Sequence, residues 1–163
     1  MGIGTLLPSI HKSEGWKGQY QRMIRWFDKF KTTDPGHFES PSIHDELDIL
    51  YACFQNIFYL KDWLHYDAKV EKKLIHNFIA EHVELQLCRD ICNGTKHFRL
   101  TQASVEDDFT IIREYEPFHK TFGTKPYKVV ILSGGNKFDL KELAFRCIEL
   151  WEIFIRKNIP EIA

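Results

Sequence analysis

The chain has no apolar run approaching the length of a membrane span, no excess of charge of either sign and no CxxC pair of cysteines. The first absence excludes a membrane-spanning helix, and the N-terminus lacks the charged and apolar regions of a signal peptide. Met1-Gly2 is not followed by the Ser or Thr that a myristoylation signal needs, because position 6 is Leu6. With 22 Lys and Arg against 23 Asp and Glu, the whole protein exerts no attraction on nucleic acid or anionic lipid. Any such contact must come from a local basic patch. Cys53, Cys88, Cys92 and Cys147 sit inside apolar helical patterns without metal-ligand spacing. That usage fits reduced core thiols in a cytoplasmic protein, with no metal and no cofactor expected.

What is present is a large supply of core-forming side chains. Hydrophobic residues make up 44% and aromatics 14% of 163 residues, enough for one domain spanning 1–163 with a single core. Ser13 can cap a first helix, in which Trp16, Tyr20, Met23, Ile24, Phe27 and Phe30 recur every three or four residues until Thr32-Thr33-Asp34-Pro35-Gly36. Residues 1–12 read as a loosely packed arm. A second helix follows Pro41-Ser42 to about Tyr66, with Leu47, Leu50, Phe54, Ile57 and Leu64 on its buried edge. Its length is roughly 35 Å at 1.5 Å per residue. Asp67 is placed to cap a third helix containing Val70, Leu74 and Phe78. Lys69, Lys72 and Lys73 then form its solvated face.

A fourth helix ends near Arg99-Leu100, after which residues 109–115 alternate and Tyr127 to Leu132 is β-branched and apolar. Ser133-Gly134-Gly135-Asn136 lacks the Lys-Ser/Thr of a phosphate loop and reads as a turn. Asp139 with Glu142 resembles a capping box, opening a last helix through Leu143, Cys147, Trp151 and Phe154 to about Asn158. The expected fold is mainly α, an up-and-down bundle of about five helices with a small β-hairpin before the last.

Chemistry concentrates in the fourth helix, Leu87 to Phe98. At about 100° per residue, Leu87, Ile91 and Phe98 share one face, while Gln86, Asp90, Asn93 and His97 share another flanked by Arg89 and Lys96. An imidazole transfers protons near neutral pH, and a guanidinium or ammonium stabilises charge on a phosphate under attack. Arg89, Asn93, Lys96 and His97 therefore fit a metal-independent ribonuclease, with Asp90 fixing the imidazole tautomer. Against this stands a purely structural reading, in which Asp90, Asn93, His97 and Asp62 satisfy one another as a buried network. Gly94 inside this helix costs about 1 kcal/mol relative to Ala and points to a close backbone approach or a break. His76 and His82 lie on different faces and have no partners of a zinc set. The sequon Asn93-Gly94-Thr95 falls inside a helix.

The stretches Phe58-Tyr59-Leu60-Lys61-Asp62-Trp63-Leu64 and Arg89-Asp90-Ile91-Cys92-Asn93-Gly94-Thr95-Lys96-His97 resemble those of the HEPN superfamily, over roughly Ile43 to Leu100 and the final helix. The resemblance implies an RNA-directed or nucleotide-binding protein, with ribonuclease activity in a toxin or defence system. It also implies a homodimer in which two such helices meet in one cleft, and an antitoxin or other defence partner. Trp63, Tyr66 and the outer edge of the fourth helix would then make the contacts. The family motif separates Arg and His by four to six residues, usually with a polar residue straight after the Arg. Asp90 supplies that residue, and seven residues separate Arg89 from His97. Arg113 and His119 have the family spacing but fall in a strand and a proline-containing loop. The alternative function is a non-catalytic dimeric interaction module built on the same polar residues.

Overall fold

Trp16, Met23 and Phe30 stand seven residues apart and are all buried, the signature of one helix laid along a core. They belong to α1 (Leu6–Thr32) of a computed structural model that describes residues 6–33, 43–96, 109–115 and 127–159. The remaining elements are α2 (Ile43–Tyr66), α3 (Lys72–Glu81), α4 (Val83–Lys96), β1 (Thr110–Tyr115), β2 (Tyr127–Ser133), β3 (Asn136–Asp139) and α5 (Leu140–Asn158). The architecture among the described residues is therefore mainly helical, with a small antiparallel sheet placed before the last helix. One core joins all five helices, with Phe30 edge-on to Phe54 at 6.3 Å and Trp151 edge-on to Phe154 at 5.8 Å.

The helical path starts at Leu6, earlier than Ser13, and is bent at Gly15 (φ 59°, ψ −153°), a conformation open essentially to glycine alone. The bend frees the amide of Trp16, which donates to Asp67 Oδ2 at 2.8 Å. Asp67 thus caps the long arm of α1 from 51 residues away and does not cap α3. The N-cap position of α3 is Glu71, which makes no side-chain cap bond. Of the expected edge, Val70 is buried just before α3 and Phe78 packs on the core 4.8 Å from the Phe154 ring, while Leu74 is exposed and Ile75 and Ile79 are buried in its place.

A Cβ on Gly15 would stand 2.4 Å from Asp67 Oδ2. Gly15→Ala is accordingly expected to lose about 2 kcal/mol, combining backbone strain with damage to the cap. Asp67→Ala alone should cost about 1 kcal/mol. Urea denaturation of both single variants and the double variant checks this. The double should lose less than the sum, since removing the carboxylate also removes the clash.

The sheet has order β1-β2-β3, a strand more than the expected hairpin. Gly134 (φ 54°) and Gly135 (φ 74°) supply the two positive-φ positions that a tight hairpin turn needs between Ser133 and Asn136. In β1 and β2, Thr110 pairs with Leu132 and Tyr115 with Tyr127; residues 116–126 lie outside the described segments. Ile131 is buried in the common core. On the other face, Lys137 bonds Glu114 at 2.6 Å, and by the register this bridge crosses the row of Ile112, Val130 and Asp139.

The start of α5 is capped within itself and fastened to the end of α1. Asp139 Oδ1 accepts from the amides of Lys141 and Glu142, and Lys141 Nζ donates to the carbonyls of Lys31 and Thr33 at the end of α1. There a cation also meets the negative end of the helix dipole. Further along, Tyr20 OH donates to Glu152 Oε1 at 2.7 Å. Burial first, and the Glu152 carboxylate second, push the Tyr20 phenol up to about 12.

Candidate functional site

The helix α4 is held from inside by Leu85, Leu87, Cys88, Ile91 and Cys92, all buried. Cys88 Sγ donates to Phe54 O of α2 at 3.4 Å, and Cys147 Sγ of α5 donates to Glu84 O at 3.3 Å. All four cysteines are buried and free. Burial pushes the Cys88 thiol well up, as do its contacts with Cys147 and Cys92. The Cys53 thiol is likewise pushed up, chiefly by burial and then by Cys147 and Cys92. These thiols pack as small apolar groups. Among the described residues, no group of three or more His, Cys, Asp or Glu side chains is placed to hold a metal ion, and no helix is long and apolar enough to cross a membrane.

The polar side of α4 is graded in depth. Asp90 is 2% exposed, whereas Arg89 and Asn93, on either side of it in sequence, are half-buried. Gln86 turns back and donates from Nε2 to Ala80 O at 2.8 Å. Lys96 is the last residue of α4, and His97 and Phe98 lie outside the described residues. Asp62 stands on α2. Its carboxylate is 52% exposed and bonded to Lys61 at 2.6 Å.

Gly94 does mark a close approach. A Cβ there would come within 2.8 Å of the Phe109 ring, so the residue leading into β1 rests against the backbone of α4. One residue on, Thr95 Oγ1 donates to Cys92 O at 2.8 Å and accepts from Gln55 Nε2 at 3.2 Å, which ties this turn to α2. The part of the helix that carries Asn93 is thereby braced by the residue leading into β1 and by a neighbouring helix. Such support from outside a polar cluster fixes its rotamers and its register.

A second polar cluster was not legible as a unit in the sequence. Glu46, in the first turn of α2, is 4% exposed. Its Oε2 accepts from Arg113 Nη2 of β1 at 2.8 Å and from Tyr127 OH of β2 at 2.6 Å. The Arg113 guanidinium lies over the Tyr127 ring at 4.4 Å, a diagonal pair in the antiparallel register. A buried carboxylate is favoured by both donors and by the positive end of α2. The cluster joins sheet to bundle, which gives Arg113 a structural role.

Comparison of the chain with family models, with curated proteins and with solved structures finds no match.

Proposed function

We propose that the chain is an RNA-directed or nucleotide-binding protein of HEPN-like type, acting as a metal-independent ribonuclease in a cytoplasmic toxin or defence system. The observation that supports this reading is the display of Arg89 and Asn93 one turn apart on the half-buried flank of a helix whose other flank is locked in the core. A fixed cation and an amide held on a rigid element suit recognition of a phosphate and its ester oxygen. In the proposed reaction the RNA 2′-oxygen attacks the adjacent phosphorus and the bond to the 5′-oxygen breaks, leaving a cyclic phosphate and a 5′-hydroxyl. His97 accepts or donates the proton, Arg89 and Lys96 hold the phosphate, Asn93 orients the scissile group, and Asp90 sets the imidazole tautomer.

The burial of Asp90 favours a second reading, in which the same residues form a structural network and the chain is a non-catalytic dimeric interaction module. RNA titrations in EDTA separate the two. The parent protein should bind single-stranded RNA with a salt-dependent affinity. Lys96→Ala should weaken binding by roughly tenfold and reduce the slope of log affinity against log salt by about one phosphate contact. A parent protein with no RNA affinity at low salt would leave only the interaction module.

A further inference from the structure

The outward face of α5 is complementary to its own reverse. Taking about 100° per residue, Glu142, Phe145, Arg146, Glu152, Ile153 and Arg156 all point within roughly 60° of Glu149. Reversed about Glu149, position 142 falls on 156, 145 on 153 and 146 on 152. Each of these pairs is complementary: acid with base, aromatic with aliphatic, base with acid. Phe145 and Ile153 are 51% and 53% exposed, large apolar side chains left in water on a helix that otherwise fills the core.

We propose that α5 packs against α5 of a second copy of this chain, antiparallel, across a two-fold axis passing at Glu149. A two-fold interface must be self-complementary, residue i meeting j while j meets i, and this face satisfies that condition near its contact line, at Glu142 with Arg156 and at Phe145 with Ile153. Phe145 of each copy covers Ile153 of the other, removing four apolar side chains from water. Phe27 of α1, whose ring lies 6.2 Å from that of Phe145, extends the apolar area on one flank. Glu142 and Arg156, each about 20° from the contact line, meet twice.

The like-charged pair at the axis is already neutralised, because each Glu149 carboxylate is bonded to its own Arg146 at 2.8 Å. Glu152 accepts from Tyr20 and Arg156 within its own chain. The pairing places the two-fold on α5, a different face from the α2 and α4 surface that the family resemblance implies, and it does not depend on RNA binding.

Sedimentation equilibrium on the full chain at micromolar concentrations tests it. The parent should dimerise, and Phe145→Asp should weaken the dimer by roughly thirtyfold or more. Glu142→Arg and Arg156→Glu each create two like-charged pairs and should weaken self-association. Mixed together they restore both pairs, 142 of either chain facing the opposite charge at 156, and should form a heterodimer of near-parent affinity. A monomeric parent, a dimer indifferent to these substitutions, or two single variants that fail to recover on mixing would each overturn the proposal. Both charge reversals are at exposed positions, so the mixing arm stands even where Phe145→Asp does not fold. RNA enters neither readout, so failure here leaves the ribonuclease reading untouched, while a monomeric parent would also remove the dimeric interaction module.

Discussion

Glu46→Ala is expected to lower the unfolding free energy by about 3 kcal/mol, a fall in Tm of roughly 6–12 °C for a domain of this size. The carboxylate is buried and accepts two charge-assisted hydrogen bonds, from Arg113 and from Tyr127. Bonds to an ionised group contribute about 1.5–3 kcal/mol each, and breaking a buried pair from one side costs about 3–5 kcal/mol. The lower end applies because the Arg113 side chain is 26% exposed and recovers some hydration. Glu46→Gln keeps the shape and one acceptor oxygen but loses the charge, so about half the loss should remain. Urea unfolding measures both. A loss below about 1 kcal/mol for the alanine variant would mean that β1 and β2 are held to α2 by packing alone.

His97→Ala separates a chemical site from a scaffold, because the two readings assign opposite costs to it. If α4 carries an RNA site, cleavage in EDTA should fall by at least roughly a hundredfold, the usual contribution of a positioned acid or base. The melting temperature should then barely move. If the residues form only a network, the loss appears as about 1–3 kcal/mol of stability from unsatisfied partners, and the parent shows no RNA affinity. Asp90→Ala is the internal control: as a buried acid it should cost stability under either reading. Arg89→Ala is the sharpest single probe, since the seven-residue separation from His97 leaves its role the most open to test. Large stability losses at His97 in a protein that ignores RNA would sink the nuclease reading.

The helices were legible because their apolar residues recur every three or four positions over long stretches, as with Met23 and Phe30 or Leu143, Cys147, Trp151 and Phe154. The cap at Asp139 was legible too, because its partners are two and three residues away. Asp67 was misread for the opposite reason. It lies just before a helix, where an acid usually caps locally, but its partner is the amide of Trp16, exposed only by the bend at Gly15. Strand β3 was missed because four residues between a turn and a helix cap are too few to show alternation. Gly94 announced a close approach, whereas Phe109 as its partner is a tertiary fact. Glu46, Arg113 and Tyr127 are separated by 67 and 81 residues, and nothing local links them. The candidate line on α4 is helical as far as Lys96, with His97 outside the described residues, and periodicity could not show that Asp90 is buried while Arg89 and Asn93 are only half so.

The sulfur cluster between α2, α4 and α5 has a chemical consequence. Alkylating reagents and disulfides react with thiolates, and burial keeps the thiols of Cys53 and Cys88 protonated in the closed bundle. Their modification must therefore wait for the helices to part. The rate at which these two cysteines are labelled then equals the intrinsic reactivity of an open thiol scaled by the fraction of time the core stands open. With no introduced probe, the chain carries its own clock for the opening of its central helices.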